Sequence, residues 1–490
     1  MAVAAEREYG LFIEGESAEP SDGEIRELTE PATGSPLAKA AVAGPGDVDR
    51  AVAAARGALE GPWLKTPPNE RSRLLHALAD AIVANRKELA ELETRNVGKA
   101  LISTKAEVAV AAESFRYMAS VLGSIEGATR PIGGSILAYT LKEPVGVCGQ
   151  IVPWNYPIML ASWKLAPALA AGCTVVLKPD AATPLTALRV AELAAEVGFP
   201  PGVLNVVPGD GPTTGAHLVR HAGVDKVAFT GSTATGSEIM RLCADPVKRV
   251  SLELGGKSPA LVFADADVED AVASTAYGIY YSAGQSCDAR SRLLVEQSIY
   301  ADVVALVAEK ARAVRVGDPL DAETQMGSLI SRGHREKVHG LVESGREEGA
   351  EVVAGGEPTD GEGAFYPPTV LAALGADQTV AQEEIFGPVL AVIPFEDEQD
   401  AVRIANDVRY GLVATVWTQD PARGHRLARA VKSGTFTINL PYGAFPGIPF
   451  GGYKQSGFGR EQALETLQMY LETKSVLLAT GARPSNPWGL

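Results

Sequence analysis

The segment "VGVCGQIV" (Val145–Val152) opens a repeating pattern of strands and helices from which the fold class of this chain can be predicted. It precedes the helical sequence "IMLASWKLAPALAAG", and "TVVLKP" (Thr174–Pro179) likewise precedes "PLTALRVAELAAEVG". The alternation continues with "GVLNVVPG" before "GAHLVRHA" and with "KVAFTG" before "TGSEIMRLCA". Continuous apolar strands that alternate with helices of this length predict a parallel sheet covered by helices on both faces. The expected fold class is therefore α/β.

Regular patterns continue on both sides of this central region. A second strand-helix series runs from "SPALVFADAD" (Ser258–Asp267) to about Asn439 and predicts another α/β unit. Helical periodicity dominates from Asp47 to about Ser124. The alternating run "ILAYTLKEP" and the terminal run "YLETKSVLLATGA" each predict a strand. An isolated terminal strand has to pair with something, and another subunit is one candidate.

Length and charge limit the classes of partner. The chain has 490 residues, 46% of them hydrophobic, which is enough for two or more domains. Its net charge of −16 argues against nucleic acid or an anionic membrane surface as the main partner. No run of eighteen apolar residues predicts a membrane span, and the opening residues have no apolar signal core.

Cysteine usage indicates a reducing compartment. No CxxC spacing occurs, so neither a disulfide framework nor a zinc ribbon is predicted, and we expect a cytoplasmic protein. The four cysteines are far apart in the sequence: Cys148, Cys173, Cys243 and Cys287.

Two glycine-containing turns are candidates for phosphate binding. "GDGPTTG" (Gly209–Gly215) follows a strand and opens a helix, but its G-x-G-x-x-x-G spacing suits a plain tight turn equally well. "VAFTGSTATGSE" (Val227–Glu238) also leads from a strand to a helix N-terminus, where backbone N–H groups and the helix dipole favour phosphate. Two such turns in one α/β sheet predict a nucleotide site.

Three other patterns do not carry a function. "GGKS" at 255–258 lacks the glycine that a phosphate loop needs at position 251. His217 and His221 have no acidic residue between them, so we predict a solvated helix face and no metal site. No G-x-S-x-G motif occurs to indicate a serine hydrolase.

Five further stretches form one set. In chain order they are "VPWNYP" (Val152–Pro157), "LELGGKSP" (Leu252–Pro259), "GQSCDARSR" (Gly284–Arg292), "EEIFGPV" (Glu383–Val389) and "PFGGYKQSGFGRE" (Pro449–Glu461). Together they resemble the aldehyde dehydrogenase superfamily, and the resemblance covers nearly the whole chain.

The resemblance implies a particular domain organisation. A Rossmann-like NAD(P)-binding domain would comprise residues 1–123 and 145–254, and a second α/β catalytic domain residues 255–469. Residues 124–144 and 470–490 would form a small β flap that assembles a homodimer or homotetramer.

The resemblance also assigns catalytic roles. Cys287 would attack the aldehyde carbonyl to give a thiohemiacetal, and Asn155 would stabilise the oxyanion together with the backbone N–H of Cys287. Loss of hydride would leave a thioester, which water attacks with Glu253 as base. Leu252 and Leu254 flank Glu253 in the sequence, and we expect this desolvation to raise its pKa.

Two of these assignments have simpler alternatives. Lys164 and Glu461 match a proposed proton-exit pair, but a surface salt bridge would use the same residue types. Asn155 stands two residues before Pro157, where asparagine also serves simply to form a turn.

The cofactor contacts follow by the same resemblance. Lys178 would hold the adenine ribose, Gly231 and Ser232 would meet the pyrophosphate, and Glu384 and Phe386 would contact the nicotinamide ribose. The full expected set is Val152, Pro153, Trp154, Lys178, Asp180, Ala181, Gly211, Pro212, Phe229, Thr230, Gly231, Ser232, Thr235, Leu254, Gly255, Glu384 and Phe386.

Ala181 departs from the family pattern. Family members often carry an acidic residue here that binds the ribose 2′-OH, and a carboxylate would repel a 2′-phosphate. With Ala181 we expect NADP to be accepted at least as readily as in typical NAD-specific members. Asp180 is the alternative ligand of the 2′-OH.

Four aromatic residues are expected to form the substrate pocket: Tyr156, Trp163, Tyr281 and Phe450. They resemble the aromatic box of betaine- and aminoaldehyde-oxidising relatives, and aromatic faces attract cations. Ala109 and Val110 stand where some relatives carry acidic residues that assist amine recognition. We therefore favour an apolar or aromatic aldehyde over a cationic one.

Two rival hypotheses use the same residues differently. A cysteine esterase or thioesterase would need Cys287, Asn155 and Glu253 but no cofactor. A non-catalytic binding protein of this fold usually loses the nucleophile or the base, whereas this chain keeps both.

Overall fold

The apolar segment Val147–Ile151 forms the centre of an eight-stranded sheet in a computed structural model, which describes residues 8–132, 135–440, 444–481 and 488. All five residues of this strand are buried, because helices cover both faces of the sheet. Across the sheet the strands run in the order Gly457–Phe458, Arg249–Glu253, Lys226–Thr230, Val147–Ile151, Thr174–Lys178, Leu204–Val206, Leu11–Ile13 and Glu16–Ala18. The five strands from Arg249–Glu253 to Leu204–Val206 pair in parallel. The predicted α/β class is confirmed.

The strand order reverses beside Val147–Ile151. The chain proceeds from this strand to Thr174–Lys178 and Leu204–Val206 on one side. It then crosses to the other side, where Lys226–Thr230 pairs directly with Val147–Ile151. Such a switch point leaves a crevice outside the carboxyl ends of the two central strands, where ligands bind in open α/β sheets.

A second, seven-stranded sheet follows in the chain. Its strands run in the order Glu351–Ala354, Thr369–Ala372, Val389–Phe395, Arg292–Glu296, Pro259–Val262, Val413–Trp417 and Thr435–Ile438. All neighbouring pairs are parallel except the antiparallel pair formed by the first two strands. The predicted second α/β unit is thus confirmed as a fold, while its boundaries stay predictions.

The two predicted flap strands pair with each other. Ile136–Pro144 and Leu471–Ala479 lie antiparallel along their whole length, and Thr129–Arg130 adds a third strand. The terminal strand therefore has its partner within the same chain. Residues 133–134, 482–487 and 489–490 of the predicted flap lie outside the described residues.

Two small sheets complete the β-structure. One consists of Glu8–Tyr9, Pro36–Ala41 and Ile25–Thr29, and the other pairs Tyr410–Gly411 with Tyr453–Lys454. Gly457–Phe458, which the predicted boundaries place in the second unit, forms the edge strand of the first sheet beside Arg249–Glu253.

The helical region predicted between Asp47 and Ser124 contains four α-helices, and proline and glycine mark two of the boundaries between them. Pro68 opens the second helix. Gly98 ends the third in the left-handed region at φ 88°, where a Cβ would lie 2.3 Å from Ser328 Oγ. The helices are Pro45–Glu60, Pro68–Ala84, Arg86–Val97, Leu101–Val121, Pro157–Ala171, Leu185–Glu196, Ala216–Arg220, Thr233–Ala244, Val268–Tyr280, Tyr300–Ala313, Arg332–Glu347, Thr379–Gln382, Glu398–Asn406, Pro421–Ala430 and Leu464–Gln468.

Within the described ranges, every helix is too short or too polar to span a lipid bilayer.

Candidate active site

A cavity of about 200 Å³ opens beside Cys287. It brings together all four aromatic residues expected to line a substrate pocket: Tyr156, Trp163, Tyr281 and Phe450. The remaining lining residues are Ala106, Glu107, Val110, Met159, Leu160, Tyr277, Gly278, Ser286, Asp288, Arg290 and Ala444. Residues 441–443, next to Ala444, lie outside the described part of the chain.

The turn before Cys287 has an unusual backbone. Ser282 and Ala283 adopt φ values of 55° and 53°, which are uncommon for residues other than glycine. Gly284 follows at φ 70°, and a Cβ there would lie 2.0 Å from the carbonyl oxygen of Gly387. The buried Gln285 side chain holds the turn by donating to Ser282 O and accepting from the backbone N–H of Ile330. Strain of this kind clusters at functional sites because the surrounding structure has to maintain it.

Asn155 lies against the same turn. Its Nδ2 donates a 2.8 Å hydrogen bond to the carbonyl oxygen of Gln285, two residues before Cys287. The side chain is buried, and Oδ1 has no partner among the described residues. Because a primary amide carries two N–H groups, the second stays available to a ligand. The structure therefore places the "PWNYP" motif beside the Cys287 turn.

Glu253 reaches this region from the end of strand Arg249–Glu253. Two glycines allow the close approach: a Cβ at Gly256 would lie 2.2 Å from the carbonyl oxygen of Cys287, and one at Gly451 would lie 2.7 Å from Glu253 Oε1. Burial, and then the neighbouring Glu461 carboxylate, raises the pKa of Glu253 well above its usual value. Its Oε2 is buried without a hydrogen-bond partner in the described chain.

Lys164 and Glu461 form a buried ion pair between Nζ and Oε1. Their side chains are 1% and 8% exposed, so the pair does not lie on the surface. Glu461 is held next to Phe450 by reciprocal backbone hydrogen bonds, and its carboxylate contributes to the raised pKa of Glu253.

The setting of Cys287 does not favour a thiolate. Burial raises the pKa of its thiol well above the usual value, and the carboxylates of Asp288, Glu384, Glu253 and Glu461 raise it further. Reactive cysteines usually lie in environments that favour the thiolate. Four of the five motifs bring an acidic residue close to Cys287. Motif matching could not reveal their effect on the pKa of the thiol, because that effect depends on their convergence in the folded chain.

A second cavity, of about 700 Å³, opens at the strand-order reversal. Twelve of the expected cofactor residues line it: Val152, Pro153, Trp154, Lys178, Asp180, Gly211, Pro212, Phe229, Thr230, Gly231, Ser232 and Thr235. Ser232 caps the helix Thr233–Ala244 by accepting from the backbone N–H of Thr235. Both residues line the cavity, so the N-terminus of this helix faces it. The turn at 209–215, the weaker glycine pattern, contributes Gly211 and Pro212 to the same cavity.

Five expected cofactor residues do not line this cavity: Ala181, Leu254, Gly255, Glu384 and Phe386. The contacts of three of them are defined. Phe386 packs edge-on against Trp154 with ring centroids 5.3 Å apart. Glu384 Oε1 accepts from the backbone N–H of Gly256 at 2.9 Å, and a Cβ on Gly255 would lie 2.2 Å from Glu384 Oε2. Ala181 is half-buried beside Asp180.

These residues fit a dinucleotide. The cavity joins a helix N-terminus, which suits phosphate, to the buried Lys178 side chain. Thr230 Oγ1 is buried there without a partner in the described residues. Trp154, which lines this cavity, also packs against Phe386, two residues after Glu384.

Sequence reasoning missed several residues of both cavities. Arg220 and Glu238 line the nucleotide cavity, and Glu238 lies one helical turn after Thr235. Glu107, Asp288 and Arg290 line the cavity beside Cys287. Asp288 and Arg290 were within the quoted "GQSCDARSR" motif, and their adjacency to Cys287 was the available signal.

Comparison with known proteins agrees with this geometry. Residues 18–476 match the aldehyde dehydrogenase family. The NADP/NAD-dependent aldehyde dehydrogenase PuuC of Escherichia coli is 42% identical over 485 residues, covering 98% of both chains. The betaine aldehyde dehydrogenase of Bacillus subtilis is 43% identical over 473 residues, covering 95% of this chain and 96% of its own.

Solved structures give the same result. The NAD⁺ complex of an aldehyde dehydrogenase from Bacillus cereus has a TM-score of 0.96 at 45% identity and covers 97% of each chain. The chain therefore belongs to the aldehyde dehydrogenase family and is an NAD(P)-dependent enzyme.

Proposed function

We propose that the enzyme oxidises an apolar or aromatic aldehyde to the carboxylic acid through a thiohemiacetal and a thioester on Cys287. The observation that carries this proposal is the junction of three distant segments. Asn155 bonds to Gln285, Gly256 abuts Cys287, and Glu253 lies on the strand that leads into Gly256.

The first step is attack of the Cys287 sulfur on the aldehyde carbon. The raised pKa of the thiol means that it starts protonated, so a base has to accept its proton. Glu253 suits this task, since its own raised pKa lies closer to that of a thiol than an exposed carboxylate would. The free N–H of the Asn155 amide and the backbone N–H of Cys287 would stabilise the oxyanion.

The nicotinamide ring, when bound, supplies the hydride acceptor that turns this adduct into a thioester. Glu384 and Phe386 would hold its ribose, Lys178 the adenine ribose, and the turn at Gly231–Ser232 the pyrophosphate. Trp154 lines the nucleotide cavity and packs edge-on against Phe386, so this pair of rings would help to orient the nicotinamide.

Hydrolysis of the thioester completes the reaction. Glu253 would accept a proton from water, and its unpartnered Oε2 is the available acceptor. The buried Lys164–Glu461 pair lies next to Glu253 and offers a path for that proton away from the site. A base at this position favours hydrolysis to a free acid over acyl transfer to coenzyme A.

The charges around the cavity support a neutral substrate. Among the described residues, two acidic side chains line it, and each already has a cationic partner. Glu107 pairs with Lys99 at 2.8 Å, and Asp288 pairs with Arg290 at 3.3 Å. Aromatic and aliphatic groups supply most of the remaining wall. An apolar or aromatic aldehyde therefore fits better than a cationic one.

Betaine aldehyde is the second candidate substrate, because the cavity walls are aromatic and a relative that is 43% identical is named a betaine aldehyde dehydrogenase. Steady-state kinetics with benzaldehyde, hexanal and betaine aldehyde would separate the two. A kcat/KM for betaine aldehyde above those for both neutral aldehydes would contradict the proposed substrate class.

A cysteine esterase or thioesterase without hydride transfer would use the same three residues. It needs no cofactor, so aldehyde-dependent formation of reduced nicotinamide distinguishes the two functions. A chain that cleaved esters but formed no reduced nicotinamide from any aldehyde would contradict our proposal.

We further propose that the chain assembles as a homodimer or homotetramer through the three-stranded sheet. Leu137, Leu141, Leu477 and Leu478 of this sheet are exposed by 41% to 65%, and such patches commonly mark interaction surfaces. Light scattering coupled to size exclusion would test this, and a monomer at micromolar concentration would contradict it.

A further inference from the structure

We propose that Arg290 determines substrate charge specificity, by neutralising an Asp288 carboxylate that would otherwise attract cationic aldehydes. This inference rests on the proposed function, since it concerns the cavity in which the aldehyde is oxidised. Both residues line that cavity, and Asp288 follows Cys287 directly in the chain. Neither residue has a role in the chemistry proposed above.

The Asp288 carboxylate is fully engaged. Oδ1 accepts from Ser286 Oγ at 2.5 Å, and Ser286 Oγ accepts in turn from the hydroxyl of Tyr156 at 3.1 Å. Oδ2 lies 3.3 Å from Arg290 Nη1. The Asp288 side chain is only 15% exposed. Its negative charge is therefore balanced mainly by the Arg290 guanidinium and little by solvent.

Arg290 is held in place by contacts that do not depend on a substrate. Nη1 donates to the backbone oxygen of Asp288 at 3.1 Å, and Nε donates to Thr415 Oγ1 at 3.3 Å. The side chain passes over Gly278, where a Cβ would lie 3.4 Å from Arg290 Cδ. The guanidinium is 4% exposed. It is therefore a fixed part of the cavity wall.

The other charges near the cavity do not take over this role. Glu107 faces it from the helix Leu101–Val121, but both of its oxygens lie 2.8 Å from Lys99 Nζ. Lys99 also lies over the ring of Tyr156, 3.4 Å from its centroid. Removing Arg290 would thus leave Asp288 as an unmatched negative charge beside Cys287. A charge left unpaired in a buried site acts strongly on whatever enters it.

The test uses two aldehydes that differ in charge but not in shape. Betaine aldehyde carries a trimethylammonium group, and 3,3-dimethylbutanal has carbon in place of its nitrogen. The measured quantity is the ratio of kcat/KM for the cationic aldehyde to that for the neutral one, at pH 8 in low salt. We expect Arg290→Gln to raise this ratio about tenfold, Asp288→Asn to lower it, and Arg290→Lys to leave it within about threefold of the wild-type value.

The double variant Asp288→Asn/Arg290→Gln is the matched control. It removes both charges, so its ratio should return to within about threefold of wild type. An equal loss of kcat/KM for both aldehydes in Arg290→Gln, with the ratio unchanged, would overturn the proposal in favour of a purely structural role. An Asp288→Asn ratio that rose would also overturn it.

A second readout does not depend on aldehyde oxidation. Cationic and anionic methanethiosulfonates of similar size modify Cys287 at rates that reflect the local field. The cationic-to-anionic rate ratio should rise about tenfold in Arg290→Gln and fall in Asp288→Asn. If no aldehyde is oxidised but these rates shift as expected, the proposed function fails and the charge inference stands. If aldehydes are oxidised and neither ratio shifts, the inference alone fails.

Discussion

The side-chain amide of Asn155 donates a 2.8 Å hydrogen bond to the carbonyl oxygen of Gln285, across 130 residues of sequence. This bond fixes the amide beside the turn that carries Cys287 and leaves its second N–H free. Donors that are fixed in advance stabilise developing charge most effectively. We therefore expect this bond to increase the rate of aldehyde oxidation.

Replacing Asn155 by alanine should lower kcat/KM by about 10²–10³ for any aldehyde substrate, since one oxyanion donor is lost. The measurement is steady-state formation of reduced nicotinamide at 340 nm, with a melting curve to confirm that the variant folds. Asn205→Ala is a suitable control, because Asn205 is also buried and hydrogen-bonded. It lies in strand Leu204–Val206, two strands away from Val147–Ile151 in the sheet. A loss below about fivefold in a folded Asn155→Ala variant would argue against the oxyanion role.

Replacing Glu253 by glutamine should separate the two halves of the reaction. Acyl transfer to Cys287 would still occur at a reduced rate, with solvent in place of Glu253 as acceptor of the thiol proton, while hydrolysis would slow further, by about 10²–10³, because its general base is gone. Rapid mixing should then show a burst of about one reduced nicotinamide per active site, with acylated protein visible by mass spectrometry. Fast linear turnover without a burst would show that another group activates water.

The raised pKa of Glu253 also predicts the pH dependence of hydrolysis. A carboxyl acts as a base only when ionised, so turnover should fall as pH drops through a value well above the ordinary glutamate pKa of about 4.3. This acidic limb should be absent from the residual hydrolysis of Glu253→Gln. A wild-type rate that stayed constant down to pH 5 would be inconsistent with the buried setting of this carboxyl.

Lys257 offers a test of the energetics around the site. It is fully buried, its Nζ has no hydrogen-bond partner in the described chain, and burial lowers its pKa to about 7. Because the unfolded lysine has a pKa of about 10.4, the folded protein loses stability through this group as pH falls from about 10.4 to 7. Lys257→Met should therefore stabilise the protein by about 2 kcal/mol at pH 7 and by less at pH 10. Melting temperatures at the two pH values would check this, and a lower value for the variant at pH 7 would contradict it.

Asp180 is the residue on which cofactor preference should depend. It lines the nucleotide cavity, whereas Ala181 does not, and a carboxylate there opposes a 2′-phosphate. Asp180→Asn keeps an acceptor for the backbone N–H of Ala182 and should raise kcat/KM with NADP by about tenfold. The wild-type enzyme should already use NADP, because position 181 carries alanine in place of a carboxylate. A thousandfold preference of the wild type for NAD would defeat this expectation.

The repeating strands and helices were predictable from sequence because a parallel sheet needs both faces covered. Val147–Ile151 and its neighbours are therefore apolar throughout, and periodicity alone identified them. The reversal of strand order was not visible in that pattern, since it depends on which side of Val147–Ile151 the chain crosses to. Periodicity also could not identify the partner of the terminal strand, as Ile136–Pro144 lies more than three hundred residues earlier, and only the family resemblance placed the two segments in one flap.

The five motifs predicted which residues surround Cys287, but not the electrostatics that their convergence creates. The raised pKa of the thiol arises from side chains on separate segments, such as Glu384 and Glu461. The pairing of Asp288 with Arg290 depends on a side-chain path over Gly278. Neither property belongs to a single motif, and each required the folded arrangement.

We propose that Cys287 is the nucleophile of an aldehyde oxidation, and joint quantification of both products tests this role. Wild-type protein and Cys287→Ala are incubated with NAD⁺ and benzaldehyde, and reduced nicotinamide and benzoic acid are quantified together. If Cys287 is the nucleophile, the wild type forms equal amounts of the two products, and a folded Cys287→Ala variant forms neither above background. Aldehyde-dependent reduction of NAD⁺ by Cys287→Ala at a rate close to that of the wild type would contradict it.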